Sequence, residues 1–202
     1  MKISKKRRYI ILFAVCLIII RVLSCSIIPD ISKNVNPDCK PENLYQFGLL
    51  GSMYAKCVLK VENPKVGLLN LGTEAGKGNL LTTAAYQLMN GTSDFNFVGN
   101  VEPRTLFNSN CDVFVCDGFV GNMMLKLLET FWYTTTKRGH TDEYLARFNY
   151  ELYGGTPILG VSKPAIVGHG ISSPLAIQNM ILQSRDIVNA NLADNLKEML
   201  NK

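Results

Sequence analysis

The sequence has no Cys-x-x-Cys pair, no His and Cys set at metal-ligand spacing, no internal repeat and no low-complexity run. The first two absences argue against structural zinc and against a disulfide framework. The six cysteines (Cys16, Cys25, Cys39, Cys57, Cys111, Cys116) therefore read as free thiols in a reducing compartment. Several lie inside apolar patterns, where a thiol acts as a small hydrophobe. Glycine-rich junctions exist, but none reads G-x-G-x-x-G after a strand with an acid about twenty residues on, so a dinucleotide-binding oxidoreductase is poorly supported. An excess of charge is also missing from the body of the chain. The net charge of +5 comes from Lys2, Lys5, Lys6, Arg7, Arg8 and Arg21, all before the first acid, Asp30, and the rest carries 15 basic and 16 acidic residues. That balance leaves no nucleic-acid footprint.

What is present suits one globular domain. The 202 residues are enough to bury a sizeable core, and 47% hydrophobic against 18% charged residues argues against disorder. Residues 1–33 stand apart from residues 34–202. Met1 to Arg8 is basic, and Tyr9 to Ile20 is an unbroken apolar run. This pattern fits a secretory signal, with Val22-Leu23-Ser24-Cys25 hinting at a lipoprotein cleavage box, or a membrane anchor extending to Ile28. As a central residue of a span Arg21 would cost about 2.5–3.5 kcal/mol, less if its side chain snorkels from near one end. The third reading is a leader not native to the domain, supplied by an altered start or a frame change.

Strands and helices alternate along the remainder. Pro41-Glu42 opens a helix whose Leu44, Phe47, Leu50, Tyr54 and Val58 share a face, and Asn63-Pro64 stops it. Lys65 to Leu71 reads as a buried strand, Asn79 to Met89 as a helix, and Phe95 to Val98 as a strand ending at Gly99-Asn100. Asp112 to Cys116 is the next strand, followed by a helix from Phe119 to Trp132 with Met123, Leu127, Leu128 and Phe131 on one side. After a mixed stretch, Pro164 to Val167 is a further strand, and the last long helix starts near Ser172 and carries Ile177, Ile181, Val188 and Leu192. This order predicts βαβ units and a mainly parallel sheet. Three glycine-bearing junctions, 71–79, 116–122 and 168–172, then fall beyond the carboxyl ends of strands, where such sheets bind ligands. Backbone N–H groups at a helix start suit an anion such as phosphate; the plain alternative at each junction is a tight βα turn.

At these junctions the chain resembles the phosphate acyltransferase (PlsX) family. The similarity is carried by Asp38-Cys39-Lys40-Pro41-Glu42-Asn43-Leu44, Gly51-Ser52-Met53-Tyr54-Ala55, Glu62-Asn63-Pro64-Lys65-Val66-Gly67-Leu68-Leu69-Asn70 and Lys77-Gly78-Asn79. It continues through Asn96-Phe97-Val98-Gly99-Asn100-Val101-Glu102, Val115-Cys116-Asp117-Gly118-Phe119, Tyr153-Gly154-Gly155 and Gly168-His169-Gly170. The resemblance implies a three-layer α/β/α Rossmann-like sandwich, related to isopropylmalate-dehydrogenase-like and phosphotransacetylase architectures. It also implies conversion of acyl–acyl carrier protein and inorganic phosphate to acyl phosphate for phospholipid synthesis; separately, no cofactor is expected. Family members are usually homodimers that act in the cytoplasm and touch the membrane surface peripherally. Members carry a further stretch before the segment that begins at Asp38, and residues 1–33 resemble none of it. The expectation is therefore an amino-terminally truncated, carboxyl-terminal half, at best weakly active alone, with an inactive remnant, membrane-anchored if the leader is an anchor, as the alternative. Pro103 and Ser173-Pro174 depart from the family pattern.

Phosphate attack on a thioester requires that phosphate be held, the oxyanion stabilised and the thiol released. A thiol with a pKa near about 8.5 leaves without a metal. Lys77 offers phosphate a point charge, or is a solvated lysine at a helix start. His169 protonates the leaving thiolate or orients phosphate, or is bonded within a turn. Asp117 accepts from backbone or lysine, or caps a helix. Gly78, Asn79, Asn100, Glu102, Gly118, Asn122, Gly170 and Ser172 are the expected substrate contacts. Lys126 is read as lying on a solvated face and His140 in a surface loop. Aromatics at Phe131-Trp132-Tyr133, Phe148, Tyr150 and Tyr153 suit a membrane contact, a dimer surface or a core.

Overall fold

The computed structural model of the chain describes residues 38–107 and 111–200, so the expectations about the leader lie outside the described residues. Helix α1 (Pro41–Cys57) begins where proline fixes the first turn and where the Lys40 N–H donates to Asn43 Oδ1 at 2.9 Å. It leads to strand β1 (Lys65–Leu69), helix α2 (Leu80–Met89), strand β2 (Asn96–Val101), strand β3 (Val113–Val115) and helix α3 (Gly118–Lys137). β1 pairs in parallel with both β2 and β3, giving the order β2-β1-β3. The chain is thus α/β, with parallel strands separated by helical crossovers as the alternating pattern requires.

Alternation along the strands divides the apolar side chains between two faces. Val66, Leu68, Val113 and Val115 meet Leu44 and Phe47 of α1 and Ala85 and Met89 of α2. Leu69, Phe114 and Cys116 point the other way and meet Leu125 of α3. Helices therefore cover both faces of the sheet. Gly67 is the point of closest approach: a Cβ there would stand 2.4 Å from Val101 Cγ2 and 2.9 Å from the Cys111 sulfur. A third cluster joins Leu50 and Tyr54 of α1 to Leu159, Ile187, Leu192 and Leu196. Each such side chain, once buried, contributes about 1.5–3 kcal/mol.

Several boundaries differ from expectation. β1 stops at Leu69, while β2 runs through Gly99, at φ +93°, to Val101. Glycine tolerates that left-handed backbone, and the register shift between Val66 and Leu68 absorbs the irregularity. α3 continues past Trp132 to Lys137, with the Thr135 hydroxyl bonding back to Phe131 O and Trp132 O, and ends before Gly139. The expected strand ending at Val167 exists as β5 (Ile166–Val167), but it pairs antiparallel with β4 (Thr156–Pro157) and lies outside the parallel sheet. The last expected helix is two: α5 (Pro174–Asn189) and α6 (Leu192–Leu200), broken at Asn191 with φ +49°. Leu192 consequently belongs to α6. A short helix α4 (Glu143–Ala146) lies in the stretch read as mixed.

Candidate active site

The carboxyl ends of β2, β1 and β3 lie side by side, Leu69 opposite Val101 and Leu68 opposite Val115. Glu102 and Asp117 therefore leave the sheet about 10 Å apart, two strand spacings, with Asn70 between them. Asn70 and Asn100 are both buried, and their amides join: Asn70 Nδ2 donates to Asn100 Oδ1 at 3.1 Å. The remaining arms of the pair hold the loop that follows β1. Asn70 Nδ2 also donates to Lys77 O at 2.9 Å, Asn100 Nδ2 donates to Glu74 O at 2.8 Å, and the Leu71 N–H donates to Asn70 Oδ1 at 2.8 Å. An unpaired amide in such a place would cost about 1–3 kcal/mol, so the bonded pair fixes the loop.

Two glycines make that loop possible. Gly78 has φ +106°, and a Cβ there would stand 2.0 Å from Thr82 Oγ1 and 2.5 Å from Asn70 Oδ1. At Gly72 a Cβ would meet Lys77 Cγ at 2.9 Å, so the stem of Lys77 lies over a residue without a side chain. Lys77 itself is exposed. Asn79 caps α2: Thr82 N–H donates to Asn79 Oδ1 at 2.9 Å and Asn79 N–H to Thr82 Oγ1 at 3.0 Å. Of the expected residues, Lys77, Gly78, Asn79 and Asn100 are thus assembled in one structural unit. Asn70, absent from the expected set because it reads as part of an apolar strand, is its keystone.

At the neighbouring strand Asp117 caps α3, accepting from the Val120 N–H at 2.8 Å. The Gly118 N–H donates to the thiol of Cys39, and burial, opposed by that bond, pushes this thiol up to about 11. Two N–H groups at the α3 start are therefore engaged within the protein. Glu102 is ion-paired with Arg104. From this start Asn122, Lys126 and Glu129 follow at spacings of four and three, a polar stripe along one side of α3.

His169 stands at the far end of that stripe. Its Nε2 lies 3.0 Å from Glu129 Oε1, while Lys126 Nζ donates to Glu129 Oε2 at 2.9 Å. Glu129 is twelve residues beyond Asp117, about 18 Å along the helix axis, and Asn122 to Glu129 spans about 10 Å. The junction carrying His169 follows β5, not a strand of the parallel sheet, so it reaches α3 from the side. Ser172 pins it, donating from N–H at 3.0 Å and from Oγ at 2.6 Å to His169 O. A Cβ at Gly168 would press on Met180 Sδ at 2.9 Å, whereas Gly170 faces open space. The Tyr150 ring packs on the imidazole with centroids 4.9 Å apart. Phe107, on the loop leaving β2, meets Phe148 edge to face, and Phe148 meets Phe131 of α3 in the same way, so material from the sheet edge reaches the same part of α3. His140 is exposed, as expected. Phe148 is buried, and of the aromatics read as an interface, Phe131 and Tyr133 are exposed.

The sequence matches the family described as "Fatty acid synthesis protein" over residues 15–195. It is 41% identical over 192 residues to a phosphate acyltransferase of Halothermothrix orenii, covering 85% of this chain and 58% of that relative. A phosphate acyltransferase of Acidobacterium capsulatum is 42% identical over 181 residues, 80% of this chain and 53% of its own length. One from Campylobacter lari is 37% identical over 206 residues, 93% of this chain and 61% of the relative. The chain spans little more than half the length of these relatives.

Proposed function

The chain belongs to the fatty acid synthesis protein family, the phosphate acyltransferases, and on that premise we propose that it transfers the acyl group of an acyl–acyl carrier protein to inorganic phosphate. The observation that carries this reading is the Asn70–Asn100 amide pair, which holds an exposed lysine and a capped helix start at the carboxyl edge of a parallel sheet. Lys77, Gly78 and Asn79 form the phosphate end. Asp117 and Gly118 keep the start of α3 in place beside it, and Asn100 and Glu102 brace the edge. The thioester carbonyl lies along the stripe that begins at Asn122, where an amide donor meets the developing oxyanion. His169, with Gly170 and Ser172, forms the thiol end.

In the reaction a phosphate oxygen attacks the thioester carbon and the carbonyl pair moves to oxygen. Collapse restores the C=O bond and breaks the C–S bond, releasing acyl phosphate and the carrier thiolate. With an ordinary thiol pKa of about 8.5 the thiolate is a good leaving group, and a proton from His169 completes its release. The partners on this reading are acyl carrier protein and phosphate. A second copy of the chain and a membrane surface belong to the same proposal, because α3 and α5 expose the apolar residues Phe119, Met123, Leu127 and Ile181.

The test is release of free carrier thiol from acyl–acyl carrier protein by the full chain. The proposal expects release that rises with phosphate and falls at least about 100-fold in Lys77→Ala, the scale of a lost charge-stabilising group. Release at the same rate without phosphate would contradict it.

A further inference from the structure

At the carboxyl edge of the sheet Glu102 pairs with Arg104 and Asp117 caps α3. Glu74, in the loop after β1, differs: its side chain is exposed and bonds to no other described residue. Its backbone is nevertheless held. Glu74 O accepts from Asn100 Nδ2 at 2.8 Å and from the Lys77 N–H at 3.1 Å, and Lys77 O accepts from Asn70 Nδ2 at 2.9 Å. The buried asparagine pair thus fixes residues 74 and 77 relative to each other. Their side chains meet over Gly72, which is buried. A Cβ at Gly72 would stand 2.8 Å from Glu74 Oε2, 2.9 Å from Lys77 Cγ and 3.3 Å from Lys77 Cδ, so carboxylate and lysine stem fill one hollow side by side. The ammonium is two bonds beyond Cδ, and the oxygens of a tetrahedral anion spread far enough to meet both groups.

We infer that Glu74 sets which tetrahedral anion this loop takes, admitting one that carries a proton and refusing one that carries none. The inference rests on the reading of Lys77, Gly78 and Asn79 as the phosphate end, and it names the anion chemistry of that end. A carboxylate accepts hydrogen bonds and donates none. Inorganic phosphate near neutral pH keeps at least one P–OH, which donates to Glu74 while the unprotonated oxygens face the ammonium. Sulfate has nearly the same size and shape but no proton, so against Glu74 it meets like charge with no hydrogen bond between them. A lysine and a helix start alone attract both anions. The discrimination therefore lies with the acid. Gly72 makes it possible, because any side chain there would take the space that brings the acid beside the lysine.

Inorganic phosphate itself is the probe. Broadening of its phosphorus NMR resonance by the full chain reports binding without any turnover. The wild-type chain is expected to broaden the signal. Arsenate, which also keeps a proton at neutral pH, reverses the broadening, and sulfate at matched ionic strength does not. Glu74→Gln keeps the size of the side chain and offers an N–H donor, and the exposed Glu74 side chain makes no bond that the fold would lose. In that variant sulfate is expected to displace phosphate at least about 10-fold more effectively than in the wild type, the scale of one hydrogen bond to a charged group. Sulfate that displaces phosphate from the wild type as readily as arsenate does overturns the inference. So does a preference unchanged in Glu74→Gln, or a wild-type chain that leaves the phosphate signal sharp. The expected discrimination in a chain that forms no acyl phosphate upholds the role of Glu74 and removes the acyl-transfer reading instead. Acyl phosphate formed by a chain in which sulfate competes freely keeps that reading and removes the inference.

Discussion

Single residues here act through what they exclude as much as through what they contact. Gly78 is the clearest case, since its backbone is left-handed and its missing side chain leaves room for Asn70 and Thr82. Gly78→Ala is expected to cost about 1–3 kcal/mol in urea unfolding and to abolish phosphate-dependent activity together with it. An unchanged midpoint would show that the loop is not built as described. The buried thiols and Tyr54 give a second prediction, on pH. Burial pushes the Cys111 thiol and the Tyr54 phenol each up to about 12, and raises Cys116 as well. The unfolded chain loses these protons first, so their contribution to stability is complete below about pH 9 and declines as pH rises toward 12. Urea midpoints at pH 8 and pH 11 check this, and a midpoint independent of pH over that interval would contradict it.

At the scale of elements, the helices divide into those whose apolar residues are buried and those whose apolar residues are not. α1 reads correctly from spacing, because Leu44, Phe47, Leu50 and Tyr54 all reach the core. On α3 the same kind of periodicity misleads: Leu127 is 70% exposed, while Leu125 is 3% exposed and packs beneath the sheet with Phe114 and Cys116. Leu125→Ala should therefore cost about 2–5 kcal/mol, and Leu127→Ala stay within about 0.5 kcal/mol, both measured by urea unfolding. Equal losses would show that the expected side, not the observed one, meets the core. The site divides similarly between what sequence reveals and what it hides. Lys77-Gly78-Asn79 and Asp117-Gly118 are legible because glycine and a capping residue at a strand end have a direct geometric meaning. Asn70 is hidden at the end of an apolar run, and its role appears only when β1 and β2 lie side by side. Glu129 looks like an ordinary acid on a helix face until a histidine 40 residues away meets it. The two-residue pairing of β4 with β5, one position of it a proline, leaves no periodic signal at all.

For the whole molecule, the layers converge on one edge. α2 and α3 both start where parallel strands end, and the stripe on α3 links that edge to His169 on the antiparallel pair. Among the described residues no helix is long and apolar enough to cross a membrane. Those residues also contain no group of His, Cys, Asp and Glu able to hold a metal. Because the chain spans little more than half of its relatives, what the complete arrangement does is decided by the product it makes. Mass spectrometry of a reaction containing the full chain, acyl–acyl carrier protein and inorganic phosphate is the most direct test. The account predicts acyl phosphate in amounts matching the free carrier thiol, formed only when phosphate is present and lost in Lys77→Ala. Free fatty acid released at one rate with or without phosphate would mean that water, not phosphate, is the nucleophile, and would contradict it.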